Sequence, residues 1–260
     1  MKTALITGAC INTGVAIVEK FASEGYNVVF TGRNCESVDN AKKSYREKYP
    51  DVNILGYAID SIKEGTDVDE KSVKEMFEYL DGKGIKLNAI VLNAADQGLG
   101  MKIFESPLSD MMKVINTNVV WNYCICEHFA KRAMENGGGS ITFLNSNTAY
   151  RAIPDRIAYI ASKGGQLGLM RALALDLGKY NIRVNAVLPG MIKTDRWEKN
   201  PEFYAKVPSR FTPIGDVAVG SDIADAVFYF AEHARNTTGA ELVVDGGNTI
   251  QLYPIIPDEV

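Results

Sequence analysis

A tyrosine and a lysine four residues apart form the pair that could carry proton chemistry in this chain. Tyr159 and Lys163 stand in the sequence Tyr-Ile-Ala-Ser-Lys, at the start of a stretch with helical periodicity. Side chains at positions i and i+4 share one helix face, so the ammonium can stabilise the phenolate and lower a pKa that is ordinarily about 10. Such a phenol could donate or accept a proton near neutral pH. Taken alone, a Tyr/Lys pair at this spacing is far more often a solvated helix face than a catalytic site.

A glycine-rich turn near the N-terminus is the second feature with chemical potential. Residues 7–14 read Thr-Gly-Ala-Cys-Ile-Asn-Thr-Gly and separate a short apolar run from a helical pattern. Small residues let the backbone approach a pyrophosphate, and a helix N-terminus supplies free N–H groups and a favourable dipole. The turn therefore predicts a dinucleotide site, with a plain strand-to-helix turn as the alternative.

Strand-like and helix-like segments alternate along the whole chain and would position these groups. Predicted strands cover residues 2–7, 28–30, 54–59, 89–92, 141–144, 183–188 and 241–244. Predicted helices cover residues 15–22, 37–48, 71–80, 110–135, 159–177 and 221–230. The alternation predicts an α/β fold, a Rossmann-like doubly wound parallel sheet in a three-layer αβα arrangement. Because no linker or composition shift divides the chain, residues 1–260 are expected to form a single domain.

Two segments depart from the alternation. Residues 61–70 are polar and longer than a strand-to-helix connection usually requires. Residues 190–220 combine three prolines with several aromatic residues. Long loops in compact domains are often functional, so the second segment is expected to be a substrate lid. A surface excursion packed on its own aromatics is the alternative.

Composition excludes several classes of function. The 260 residues carry a net charge of −4, and the predicted pI is 5.4, which leaves no basic surface for nucleic acid or an anionic membrane. No apolar run reaches the ~20 residues of a membrane span, and the N-terminus lacks a signal-peptide pattern, so a cytoplasmic location is expected. The four cysteines fit a reducing compartment. Cys124 and His128 could share a helix face, but a metal needs further ligands, and no metal site is expected.

Further motifs stand in order and at fixed spacing around the first two features. They are Leu-Asn-Ala-Ala around Asn93, Ile-Asn-Thr-Asn-Val around Asn118, Ser146 at 13 residues before Tyr159, Pro189-Gly190 followed by Ile192 and Thr194, and Asp245-Gly246-Gly247. With these motifs the chain resembles the classical short-chain dehydrogenase/reductase family over essentially its whole length. The resemblance implies catalytic roles for Asn118, Ser146, Tyr159 and Lys163. It implies cofactor contacts from Gly8, Asn12, Thr13, Gly14, Arg33, Asn34, Asp60, Asn93, Tyr159, Lys163, Pro189, Ile192 and Thr194.

The resemblance also implies a reaction, the interconversion of a secondary alcohol and a ketone with NAD(P). Tyr159 would exchange a proton with the substrate oxygen while the nicotinamide exchanges a hydride. Lys163 would lower the phenol pKa and hold the nicotinamide ribose, and Ser146 would hydrogen-bond the reacting oxygen. Asn118 would order a water that links Lys163 to solvent.

Some positions depart from the family pattern. Asn12 replaces the middle glycine of the phosphate turn and Thr13 the following aliphatic residue, so the turn must tolerate a side chain or tilt differently. Asparagine is the non-glycine residue that best accepts a positive φ, which keeps cofactor binding plausible. Leu92 and Ala95 replace the first Asn and the Gly of the family's Asn-Asn-Ala-Gly, and Asn93 retains the polar contact.

Coenzyme choice depends on residues after the second predicted strand. Gly32 carries no charge where an NAD enzyme usually has an acid, and Arg33 offers donors that match a 2′-phosphate. NADP(H) is therefore the expected coenzyme, with NAD(H) as the alternative if Glu36 reaches the ribose. Either Asp60 or Asp67 would contact the adenine.

Substrate and assembly are the least determined features. Polar groups at Gln97, Asn147 and Tyr150 favour a sugar or polyol, with a hydroxysteroid or a 3-oxoacyl thioester as alternatives. A catalytically silent dinucleotide-sensing protein is the rival from another class. The resemblance implies a homotetramer or homodimer, and small residues at 164, 165 and 168 would allow close helix approach. Residues 1–140 would bind the cofactor and residues 141–260 carry catalysis.

Overall fold

A parallel sheet of seven strands runs through the part of the chain that the computed structural model describes, residues 1–194, 197, 199, 201–204 and 212–252. Its strand order is β3-β2-β1-β6-β7-β8-β9. The strands are β1 (Thr3–Ile6), β2 (Asn27–Gly32), β3 (Ile54–Ala58), β6 (Ala89–Leu92), β7 (Gly139–Leu144), β8 (Ile182–Pro189) and β9 (Glu241–Val244). The order reverses between β1 and β6, which is the switch point of a doubly wound sheet. The predicted fold class is confirmed.

Helices cover both faces of this sheet. They are α1 (Asn12–Ser23), α2 (Cys35–Lys48), α3 (Glu70–Gly82), α4 (Leu108–Ile115), α5 (Trp121–Glu135), α6 (Ile157–Leu177), α7 (Pro201–Tyr204) and α8 (Gly220–Phe228). Helices α1, α2 and α8 pack on one face, and α3, α5 and α6 pack on the other. Among the described residues, no helix has the length and hydropathy that a membrane span requires.

The strands form these two cores because successive side chains point to opposite faces. In β1, Leu5 packs with α3 and α5, whereas Ala4 and Ile6 pack with α1 and α8. All three side chains are fully buried. A strand buried on both faces reads as a continuous apolar run, which is how the sequence showed it.

The predicted helix over residues 110–135 is interrupted by a π-helix at Asn116–Val120, between α4 and α5. The polar segment over residues 61–70 is not a plain loop but an antiparallel hairpin of β4 (Ile62–Glu64) and β5 (Asp67–Val68). Asn116 fastens the hairpin by donating to the Thr66 carbonyl at 2.8 Å. A second π-helix, Tyr229–His233, follows α8. Single π turns are frequent at functional sites.

The parallel arrangement brings the ends of distant strands to one edge of the sheet. Ligands of such sheets bind beyond this carboxyl edge. The predicted site residues that end or directly follow a strand there are Gly8, Arg33, Asp60, Asn93, Ser146 and Pro189.

Candidate active site

The turn between β1 and α1 has a backbone that only small residues permit. Gly8 has a φ of +63°, and a Cβ added to it would lie 2.8 Å from the Cβ of Ala94. A Cβ on Gly14 would lie 2.7 Å from the Gly8 carbonyl oxygen and 2.7 Å from the Cα of Ala9. The turn leads into the N-terminus of α1, where free N–H groups favour an anion. This cradle fits the pyrophosphate of a dinucleotide.

Asn12 takes the left-handed conformation that the turn demands. Its φ is +51° and its side chain is exposed, while Thr13 and Gly14 behind it are buried. Asparagine tolerates this region of φ better than other residues with a Cβ. The turn therefore accommodates a side chain in place of the middle glycine, with that side chain directed to solvent.

Asn93 braces the turn from β6. Its Nδ2 donates to the carbonyl oxygens of Thr7 and Gly8, both at 2.9 Å. The Thr7 hydroxyl in turn accepts from the backbone N–H groups of Asn93 and Ala94 at 3.0 Å each. Sequence reasoning assigned Asn93 a cofactor contact and overlooked Thr7. In the structure both Nδ2 hydrogens of Asn93 hold the phosphate turn in place.

The end of β2 places Arg33 at the surface, next to the buried Gly32. Gly32 has no room for a side chain, because an added Cβ would lie 2.4 Å from the Sγ of Cys10 and 2.8 Å from Val38. Asn34, predicted to contact the cofactor, caps α2 by accepting from the Ser37 N–H at 2.9 Å. Sequence reasoning had no signal for Cys10, whose packing against Gly32 depends on the tertiary fold.

Asp60 and Asp67 were both candidates for the adenine contact. Asp60 lies exposed just beyond β3, and its Oδ1 accepts from the Ser61 N–H at 2.7 Å. Asp67 stands in the β4–β5 hairpin. Only Asp60 therefore follows directly from a strand of the main sheet, at the edge where Gly8 and Arg33 lie.

The four predicted catalytic side chains come from three elements. Ser146 follows β7 and begins a short 3₁₀ turn, Tyr159 and Lys163 lie on α6, and Asn118 lies in the π-helix. The Ser146 hydroxyl lies close enough to Tyr159 to lower the pKa of its phenol. The Nζ of Lys163 lies 5.4 Å from the centroid of the Tyr159 ring. Hydroxyl, phenol and ammonium therefore lie together as the sequence predicted.

Lys163 is 1% exposed and is held by neutral groups. Its Nζ donates to the Leu144 carbonyl at 2.8 Å and to the Oε1 of Gln166 at 3.1 Å. Burial lowers the pKa of Lys163 to about 7. The Lys163 ammonium is therefore a stronger acid than an ordinary lysine.

The expected lowering of the phenol pKa by Lys163 is not found. Burial raises the pKa of Tyr159 above its ordinary value, and the Ser146 hydroxyl and the Arg156 guanidinium oppose this rise without cancelling it. The physical reason is that burial lowers the pKa of Lys163 to about 7, so its side chain is neutral at the pH where the phenol would ionise.

Asn118 is fully buried, and its side chain is engaged within the protein. Its Oδ1 accepts from the Asp96 N–H at 2.7 Å, and its Nδ2 donates to the Asp96 carbonyl and to the Ser162 hydroxyl. Its main-chain oxygen accepts from Gln166 Nε2 at 2.7 Å and from Asn122 Nδ2 at 2.8 Å. The two lone pairs of this carbonyl oxygen are therefore both used by buried amides.

Two polar groups predicted to face the substrate are engaged elsewhere. Asn147 is buried and donates to Asp245 and Asn248. The Tyr150 hydroxyl hydrogen-bonds Glu241 at the start of β9. Gln97 is the predicted substrate contact that stays available, because its side chain is exposed. The next residue, Gly98, lies close to Tyr159, since an added Cβ on Gly98 would be 3.6 Å from the backbone N of Tyr159.

The predicted lid is described only in part. Pro189 ends β8, Ile192 pairs with Ala218 in an isolated bridge, and Thr194 follows. Within residues 190–220, positions 195, 196, 198, 200 and 205–211 lie outside the described residues. Asp245, from the Asp-Gly-Gly motif, fastens the far side of this region by accepting from Thr249, Gly247 and Asn147.

The comparisons with known proteins agree with this geometry. A family model described as enoyl-(acyl carrier protein) reductase matches residues 8–249. The chain belongs to the classical short-chain dehydrogenase/reductase family. The chain is 34% identical to a 3alpha-hydroxysteroid dehydrogenase of Mediterraneibacter gnavus over 248 residues, which cover 94% of this chain and 96% of that protein.

Solved structures extend the likeness to the whole fold. L-sorbose reductase from Gluconobacter frateurii, complexed with NADPH and L-sorbose, has a TM-score of 0.87 at 26% identity and covers 96% of this chain and 97% of its own. An NAD⁺-bound xylitol dehydrogenase has a TM-score of 0.80 at 27% identity, and the match covers 95% of this chain and 98% of that one. The short-chain dehydrogenase/reductase described here is thus an NAD(P)-dependent oxidoreductase.

Proposed function

We propose that this short-chain dehydrogenase/reductase interconverts a secondary alcohol and a ketone on a polyhydroxylated substrate, with NADP(H) as the preferred coenzyme. The observation that carries the proposal is the grouping of Tyr159, Lys163 and Ser146 at the sheet edge that also holds the phosphate turn. The coenzyme supplies or accepts the hydride. Every other step is proton transfer and positioning by side chains of this chain.

Tyr159 is the proton donor to a ketone, or the acceptor from an alcohol. Because its pKa is raised by burial, the phenol is protonated at neutral pH and ready for reduction. Ser146 lies beside Tyr159 and can donate its hydroxyl hydrogen to the same substrate oxygen. General acid catalysis of this kind contributes roughly 10²–10⁴ in rate.

NADP(H) preference is supported by the exposed Arg33 and by the crowding around Gly32. Arg33 presents a guanidinium at the end of β2, next to the place where an acid would bind a ribose hydroxyl. Cys10 and Val38 fill the space that an acidic side chain at position 32 would need. We also propose that residues 1–140 form the cofactor-binding half and that residues 141–260 form the catalytic half.

A sugar or polyol substrate is supported by Gln97 and by the likeness to L-sorbose reductase. Gln97 lies in the segment beside Tyr159 and could hydrogen-bond a second hydroxyl of the substrate. A hydroxysteroid is the second candidate, favoured by the 34% identity to a 3alpha-hydroxysteroid dehydrogenase. Such a substrate would need apolar contacts instead.

A substrate panel with a matched variant separates the two candidates. Ketohexoses, pentitols, hydroxysteroids and simple secondary alcohols are scored by nicotinamide absorbance for wild type and Gln97→Leu. We expect Gln97→Leu to lower kcat/KM for the best polyol by about 10-fold, the cost of one lost hydrogen bond, with little change for a simple alcohol. A higher kcat/KM for hydroxysteroids than for every polyol would overturn the substrate assignment.

A further inference from the structure

Gln166 is a fully buried amide on the apolar side of α6, three residues beyond Lys163. Its neighbours on that face include the buried Leu167 and Met170. Burying a carboxamide costs free energy unless its polar atoms find partners. Both ends of this carboxamide have partners, so the side chain links two parts of the site.

The orientation of the carboxamide is fixed by chemistry. Its Oε1 accepts from Lys163 Nζ at 3.1 Å and from Asn145 Nδ2 at 3.1 Å. Its Nε2 donates to the main-chain oxygen of Asn118 at 2.7 Å. An ammonium can only donate and a carbonyl can only accept, so the reversed amide would lose both contacts.

We propose that Gln166 is a positioning residue, whose carboxamide couples the Lys163 ammonium directly to the Asn118 carbonyl and holds it charged beside Tyr159. This role rests on the proposed function. The Leu144 carbonyl and Gln166 take two of the three N–H donors, which leaves one for a ligand or the phenol. An amide stays in place where a water could exchange, so the ammonium has one fixed position.

The surroundings make Lys163 sensitive to this one contact. Leu144 at the end of β7 and Gln166 on α6 are the neutral groups that Nζ contacts, and Asn145 donates to the Lys163 main-chain oxygen. Tyr159 is the titratable side chain that faces Lys163 from its own helix, and Arg156 acts on Tyr159. Burial lowers the pKa of Lys163. A neutral acceptor stabilises the ammonium form, so loss of the Gln166 contact would lower this pKa further.

Direct titration of Lys163 tests the role without depending on turnover. The protein is labelled with ¹³Cε-lysine, and the Lys163 resonance is assigned by its loss in Lys163→Met. Gln166→Met keeps the length and volume of the side chain but has no amide. A hydrogen bond to a charged group is worth about 1.5–3 kcal/mol, so we expect the acidity constant of Lys163 to rise by about 10- to 150-fold.

Two further variants make the result specific. Gln166→Glu places a carboxylate beside the ammonium, and we expect it to lower the acidity constant by at least about 10-fold. Asn122→Leu removes the other amide on the Asn118 carbonyl without touching Lys163, and we expect a change under about 3-fold. If Gln166→Met fails to fold by thermal melting, Gln166→Glu decides.

The role is overturned if the acidity constant of Lys163 in Gln166→Met equals that of the wild type. Should Gln166→Met not fold, the same result in Gln166→Glu overturns it. A change in the acidity constant of Lys163 as large in Asn122→Leu as in Gln166→Met would also overturn the role, since general repacking would then be the cause. Wild-type protein without turnover on any substrate would defeat the proposed function, while the titration would still judge Gln166. In an active enzyme, Gln166→Met should lower kcat more than it raises KM for the coenzyme.

Discussion

Removal of the Arg33 side chain should weaken NADPH binding and leave NADH binding nearly unchanged. Arg33 is exposed, and among the described residues it forms no ion pair that Arg33→Ala would remove. The lost affinity is then the worth of a charge-assisted hydrogen bond to the 2′-phosphate, about 1.5–3 kcal/mol. This corresponds to a Kd about 10- to 150-fold higher.

Fluorescence titration of the reduced coenzymes measures both affinities on one sample. Lys43→Ala is the matched control, because Lys43 is an exposed cation further along α2. We expect it to change either Kd by less than about 2-fold, since exposed charges more than a Debye length apart are screened. Equal Kd values for NADPH in wild type and Arg33→Ala, or a wild-type kcat/KM higher with NADH, would refute the role of Arg33.

The same site determines how coenzyme preference can be reversed. An aspartate at position 32 could accept from a free ribose hydroxyl and would repel a phosphate. Its Cβ would overlap the Sγ of Cys10, so Gly32→Asp alone is expected to cost about 1–3 kcal/mol of unfolding free energy. Gly32→Asp with Cys10→Ala should recover part of this loss and favour NADH. Equal stability of the single and double variants in urea would contradict the overlap.

Three further predictions concern stability and assembly. Gly14→Ala should lower the free energy of unfolding by about 1–3 kcal/mol, because the new Cβ would meet the backbone of Ala9 and Gly8. Gly82→Ala is the control, since an added Cβ there has open space around it. Equal urea midpoints of the two variants would contradict the prediction. Burial opposes ionisation of Asp245, but hydrogen bonds from Thr249, Asn147 and Gly247 outweigh it and lower its pKa. The carboxylate therefore stabilises the fold above pH ~4 and loses this effect as the pH falls further. The difference in unfolding free energy between wild type and Asp245→Asn should become smaller from pH 7 to pH 3. A constant difference would exclude the carboxylate as its source. An added Cβ on Gly168 has nothing within 4 Å, so Gly168→Leu should not change the thermal stability of the subunit. The same change should disrupt a homo-oligomer whose interface lies on α6. Wild-type light scattering that shows only a 28.5 kDa species would contradict the assembly.

The sheet and the grouping of the candidate catalytic residues were predictable because each leaves a local pattern. Buried parallel strands are continuous apolar runs, and residues such as Ser146 and Tyr159 stand at fixed distances from them. The π-helix around Asn118 and the hairpin over residues 62–68 were not predictable. They depend on contacts between distant segments, such as Asn116 with Thr66.

The wrong predictions share a physical cause. Asn147 and Tyr150 were taken as substrate contacts from their nearness to Ser146 in sequence, but tertiary packing gives them partners in Asp245 and Glu241. Gln166 was overlooked, although a glutamine on the apolar face of α6, one turn from Lys163, was a signal. Sequence spacing tells which residues can meet, and packing decides which of them do.

Replacement of Tyr159 by phenylalanine tests the central claim most directly. Tyr159→Phe removes one oxygen from the reacting position, and Tyr150→Phe is the matched control, since its hydroxyl contacts Glu241. With the best substrate of the panel, Tyr159→Phe should lose at least ~10²-fold in kcat and keep coenzyme Kd within about 2-fold, whereas Tyr150→Phe should retain turnover. A Tyr159→Phe enzyme with wild-type kcat would contradict the assignment of Tyr159 as the general acid and base.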